Sequence, residues 1–126
     1  MKSELSVMLL TNWVIAMQGT GNVTFFSSSV DSVSFEEVDF EYQPGDRSIA
    51  LGVGGNLSML SHAGTISFKL EPFEKWQSVY YMTFSFPNGR DSDHVFEVTR
   101  NFKQPSSNNG WLHYPVKPKK ARLMSD

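Results

Sequence analysis

With 126 residues, no cysteine and a net charge of -2, the chain has the size of one domain and lies outside disulfide-stapled folds and thiolate chemistry. Eleven basic residues against thirteen acidic ones build no broad positive field, which argues against nucleic acid as a partner. Charged residues make up only 19% of the chain, so Ser, Asn, Gln and Gly must supply much of the surface.

The first apolar stretch, Val7 to Leu10 and then Trp13 to Met17, is too short for a membrane-spanning helix. Glu4 and the lack of a small-residue cleavage site argue against a secretory signal, so the expectation is a soluble domain of unassigned compartment. Leu5, Val7 and Leu9 alternate as in a strand, while Leu5, Met8 and Leu9 also fit a helical stripe; the β-branched content favours the strand.

Gly19 to Asn22 reads as a breaker before Val23 to Phe26, and Ser27 to Ser29 interrupts again. From Val30 to Tyr42 apolar and acidic residues intermingle, with Phe40 and Tyr42 on one face and Asp39 and Glu41 on the other, the pattern of a half-buried antiparallel strand. Pro44, Gly45 and Asp46 form a turn, after which Arg47 to Leu60 reads as a strand, a glycine-rich bend over Gly52 to Asn56, and a second short strand. Ile66, Phe68 and Leu70 alternate with Thr65, Ser67 and Lys69 in the clearest strand of the chain.

Past a connection at Pro72 to Gln77, Val79 to Phe86 alternates once more. The Pro87 to Arg90 turn and a loop lengthened by Asp91 to Asp93 lead to a return strand at His94 to Thr99, which should pair with Tyr80 to Phe86. Asn101 to Gly110 reads as an irregular crossing. Trp111, Leu112 and Tyr114 form a short final strand that Pro115 and Pro118 should end. The division is therefore one β domain over residues 1–114 and a basic tail over residues 115–126. Seven or eight short strands separated by turns favour an all-β antiparallel sandwich, with a small β-barrel as the topological alternative.

Signatures of catalysis are missing. Gly52 to Asn56 lacks the lysine and hydroxyl of a phosphate-binding loop. His62, His94 and His113 stand singly without zinc-site spacing. Asn88, Asp91 and Asp93 miss the ordered donors of a calcium loop, and Arg90 opposes a cation there. Ser61 and His62 are adjacent but carry no nucleophile elbow. No catalytic residue, metal ligand or cofactor is assigned.

What remains is aromatic: Trp13, Trp76, Tyr80, Tyr81, Trp111 and Tyr114. Such side chains join an apolar body to a polar handle and suit lipid, glycan or protein contacts as well as core packing. Trp76 lies in a charged connection and Trp111 follows a polar one, so these are the rings expected on loops. Together with Tyr81, Lys75 and Arg90 they form the candidate contact set. The expected function is non-enzymatic recognition of a membrane-lipid or glycan surface, accompanied by self-association; the alternative is a structural or protein-interaction subunit of a larger assembly.

The stretch from Gly54 to Arg90 resembles the middle of aegerolysins, through the glycine turn before Ser58, Gly64-Thr65-Ile66-Ser67-Phe68, and Tyr81-Met82-Thr83-Phe84-Ser85-Phe86-Pro87-Asn88-Gly89. Trp13-Val14-Ile15 is similar to the start of that family. The resemblance implies a β-sandwich with membrane-lipid recognition. Asn88 stands where the family has tryptophan, and its cysteines are absent, so no individual lipid ligand is implied.

Overall fold

The computed structural model describes residues 17–45, 60–87, 94–99, 107–108 and 110–119. Its strands are β1 (Met17–Phe26), β2 (Ser32–Pro44), β3 (Gly64–Lys69), β4 (Tyr81–Ser85), β5 (His94–Val98), β6 (Ser107–Asn108) and β7 (Trp111–Lys119), and a 3₁₀ turn at Trp76–Ser78 lies between β3 and β4. Every pairing is antiparallel, and the order β3-β2-β1-β4-β5-β7 closes when β7 pairs back onto β3. The result is a six-stranded barrel, with the two-residue β6 hydrogen-bonded only to β7.

Closure overturns the expected sandwich and the aegerolysin resemblance with it. A sandwich needs two sheets with free edges, whereas Ile66 against Tyr114 and Phe68 against Leu112 seal the last opening into one continuous wall. The antiparallel all-β character stands, in the barrel form, and the expected hairpin is present as Tyr81 against Glu97 through Phe84 against His94. The expected strands before Met17 and between Arg47 and Met59, the turn at Asn88 to Asp93 and the crossing at Asn101 to Ser106 lie outside the described residues.

Alternation sorts the wall. Val23 and Phe25, Phe40 and Tyr42, Ile66 and Phe68, Met82 and Phe84, Phe96 and Val98, and Leu112, Tyr114 and Val116 are all buried and share one core cluster. The opposite face of β1 and β2 carries polar cross-strand pairs, among them Thr20 Oγ1 donating to Asp39 at 3.1 Å and Thr24 with Ser34 at 2.8 Å. Apolar inside and polar outside is the reverse of a lipid-embedded barrel. Among the described residues no helix is long and apolar enough to cross a membrane.

Two sequence breakers prove to be strand residues. Gly19 and Gly21 lie within β1 and make room for rings: a Cβ on Gly21 would sit 2.2 Å from Phe84 Cζ, and one on Gly19 3.0 Å from Phe40 Cε1. Glycine here permits close packing inside the barrel rather than a turn.

Pro115 and Pro118 also fail to stop the last strand, which runs on to Lys119. In a strand, a residue's N and C=O point to the same side. The Pro115 carbonyl accepts from Thr99 N at 2.7 Å, so its missing N–H faces a point just past the end of β5. Alternation puts the missing donor of Pro118 on the other side, beyond Gly64, where β3 begins. Neither proline deletes an interior ladder bond.

Candidate functional site

Two connections converge at one end of the barrel. The first is the β1–β2 turn, where Ser27 N and Ser28 N both donate to the Asp31 carbonyl, at 2.9 and 3.4 Å. Ser28 Oγ accepts from Val30 N at 3.3 Å, which holds the turn tight and leaves Val30 at its tip 92% exposed. The second is the segment from Leu70 to Tyr80, which leaves β3 and carries the 3₁₀ turn. It is tied down by Trp76 N to Phe73 O at 3.0 Å, Ser78 N to Lys75 O at 2.9 Å and Tyr80 N to Phe26 O at 2.9 Å.

Between these connections lies a pocket of about 210 Å³. Its apolar lining is Phe25, Val33, Phe73 and Val79. Phe25 is fully buried and meets Phe73 at 5.0 Å between ring centroids, while the half-buried Phe73 also touches Phe35 at 5.4 Å. The polar lining is Ser27, Asp31, Ser32, Glu74 and Lys75.

The Lys75 ammonium bonds the Asp31 carboxylate, linking the two connections, and both side chains remain well exposed. The Lys75 hydrogen bond, then one from Ser27, holds the Asp31 carboxyl below the usual carboxylate range. The same bond to Asp31 raises Lys75. Both groups therefore stay ionised through neutral pH. Lys75 adopts a left-handed backbone, φ 66°, directly before the 3₁₀ turn, a conformation that disfavours any residue with a Cβ.

The residues singled out from sequence distribute as follows. Lys75 lines the pocket. Trp76 follows it in the 3₁₀ turn, half-buried against the core, and its carbonyl accepts from Tyr114 Oη at 3.0 Å. Tyr81 is on the outer side of β4, only 9% exposed and stacked on Phe26 at 4.3 Å with rings nearly parallel. Trp111 opens β7, half-buried on the outer wall opposite Lys69. Arg90 lies outside the described residues. Lys75 and Trp76 thus share one connection, whereas Tyr81 and Trp111 belong to the strand walls.

Sequence reasoning did not join the β1–β2 turn to this connection, because Asp31 and Lys75 are 44 residues apart and nothing local announces the bridge. The only local signal was the charged, tryptophan-bearing run from Glu71 to Trp76.

It also missed Ser67 with His113, where Oγ and Nδ1 lie 2.8 Å apart on the outer wall. A serine and a histidine in contact invite comparison with a hydrolytic dyad, but acyl transfer also needs free N–H groups to hold an oxyanion. Strand β3 is paired on both sides, so its backbone donors around Ser67 are committed to the barrel ladder. Ser67 is itself 7% exposed, which leaves little room for substrate. The pair reads as a cross-strand hydrogen bond. Among the described residues no group of three His, Asp or Glu side chains is placed to hold a metal ion. No protein-family model, curated protein or solved structure matches the chain.

Proposed function

We propose that this chain is a non-enzymatic recognition domain that holds a lipid or glycan surface at the barrel end between the β1–β2 turn and the Leu70–Tyr80 connection. The observation that carries the reading is the pocket there, with a phenylalanine-rich wall beside a rim of serine, carboxylate and ammonium groups. Such sites hold ligands by apolar contact plus a few placed hydrogen bonds and need no covalent step.

Two features of the surroundings agree with this. Val30 projects from the turn beside Asp31, a pocket-lining residue, and offers an apolar contact to whatever approaches that end. Lys75 occupies a left-handed backbone conformation at the pocket rim, and its ammonium reaches the Asp31 carboxylate there, which sets a charged hydrogen-bonding pair beside the apolar wall.

The test is binding by the wild-type protein to a glycan array and to sedimented liposomes, repeated with Phe73→Ser in the pocket and Trp111→Ala on the wall. The reading expects binding that Phe73→Ser removes and Trp111→Ala retains, each variant first checked for its fold by circular dichroism. Binding to neither surface, together with a defined assembly by native mass spectrometry, would replace it with the structural or protein-interaction role.

A further inference from the structure

Resting on that recognition reading, we infer that the pocket takes a neutral, hydroxyl-rich unit, a single sugar ring of a glycan, in preference to an anionic headgroup or an organic cation.

Charge comes first. Two carboxylates, Asp31 and Glu74, and one ammonium, Lys75, line the same small space. A phosphate or carboxylate ligand meets Glu74 and finds Lys75, the one lining cation among the described residues, already engaged by Asp31. A quaternary or primary ammonium meets Lys75. A ligand of either sign therefore trades an attraction against a repulsion within the same small space, whereas a neutral polyol meets no repulsion and bonds these groups with the Asp31–Lys75 bridge intact.

Hydrogen-bonding capacity points the same way. A carboxylate accepts at two oxygens and an ammonium donates three hydrogens, so the Asp31–Lys75 bridge leaves both partners with unused capacity. Ser27 and Ser32 add hydroxyls that donate or accept, as sugar hydroxyls do. Phe73, half-buried on the apolar side, supplies the surface against which the C–H face of a pyranose rests.

Size completes the case. At about 210 Å³ the pocket is smaller than the roughly 300–1,000 Å³ of sites that engulf drug-sized molecules. It admits one ring while the remainder of a glycan continues into solvent.

The experiment is a heteronuclear NMR titration of the full chain with methyl glycosides of glucose, galactose, mannose and N-acetylglucosamine, with inorganic phosphate, with choline, and with phosphatidylserine vesicles. The inference expects at least one glycoside to shift resonances of Phe25 to Val33 and Phe73 to Val79, with millimolar affinity, while phosphate and choline leave them unmoved. Glu74→Gln should weaken that binding by about tenfold through loss of a charged acceptor. Lys75→Gly should abolish it, since it removes the donor that reaches the pocket rim and opens the bridge to Asp31. Shifts at the pocket caused by phosphate, choline or the vesicles and by no glycoside would overturn the sugar assignment and keep the recognition reading. Shifts at the pocket from none of these probes would overturn both.

Discussion

The Tyr114 hydroxyl donates to the carbonyl of Trp76 at 3.0 Å, so a side chain from the middle of β7 reaches through the barrel end to hold the connection that closes it. The Tyr114 ring is fully buried and packs 5.5 Å from Phe25, which lines the pocket. Core, connection and pocket wall are one packed unit. Tyr114→Phe keeps the ring and deletes the donor, and should cost about 1–2 kcal/mol in urea unfolding because the Trp76 carbonyl loses its partner. Faster amide exchange at Trp76 and Ser78 should accompany that loss, since their bonds to Phe73 and Lys75 define the turn. Unchanged exchange would show that the turn holds without the tyrosine.

Gly21 and Gly19 offer a graded test of packing inside the barrel. A Cβ on Gly21 would meet two atoms of the Phe84 ring at 2.2 and 2.4 Å and the Ser85 carbonyl at 2.8 Å, whereas one on Gly19 meets Phe40 at 3.0 Å. Gly21→Ala should therefore destabilise by about 1–3 kcal/mol through forced displacement of Phe84, and Gly19→Ala by clearly less. Thermal unfolding of both variants measures the difference. Equal losses would mean that β1 yields as readily at one position as at the other.

The strands themselves were readable because burial on one face writes a period of two, and Thr65 to Leu70 showed it without interruption. Barrel closure was not readable. A sandwich and a barrel place the same residues inward, and only the pairing of β3 with β7, fixed by strand tilt and stagger, separates them. Pro115, Pro118, Gly19 and Gly21 were read by their usual roles as breakers, yet each sits where its neighbours remove the usual penalty. The pocket was half legible: Lys75 and Trp76 drew notice as charge beside an aromatic, while Phe25 read as part of an apolar stretch, Ser27 as the interruption after it, and Asp31 gave no signal.

Asn22 and Glu37 face each other across an irregularity in the β1–β2 ladder. Gly21 pairs with Val38 and Val23 with Phe35, so two β2 residues oppose the single Asn22. This is a β-bulge, and the second of the two residues opposite Asn22, Glu37, takes the left-handed conformation at φ 55°. Asn22 Oδ1 accepts from Glu37 N at 2.9 Å and satisfies the donor that the bulge pulls out of register. Glu37→Gly should stabilise the protein by about 0.5–1 kcal/mol by relieving the backbone. Asn22→Ala should destabilise it by a similar amount through the lost acceptor. Denaturant midpoints decide between this account and one in which the Glu37 side chain stabilises its own turn, which would make the glycine variant less stable.

Tyr42 and Tyr114 set the alkaline limit of the fold. Both are fully buried, and burial pushes both hydroxyls well above the ordinary value of about 10. For Tyr114 the neutral hydroxyl is also the donor to Trp76, whereas the Tyr42 hydroxyl has no hydrogen-bond partner among the described residues. The native state thus holds these protons more tightly than the unfolded chain does. Their contribution to stability is fully present below pH about 10 and is lost as pH rises through the folded values. Denaturant unfolding should therefore show no tyrosine-linked loss near neutrality and a steep fall above pH about 10. Tyrosinate absorbance from the buried pair should rise only together with loss of the β-sheet signal. Tyr42→Phe removes a buried hydroxyl without a partner and should leave stability at neutral pH equal or higher, while softening the alkaline fall. Titration of Tyr42 and Tyr114 in the still-folded protein would place these two hydroxyls in contact with water and refute their burial in the core.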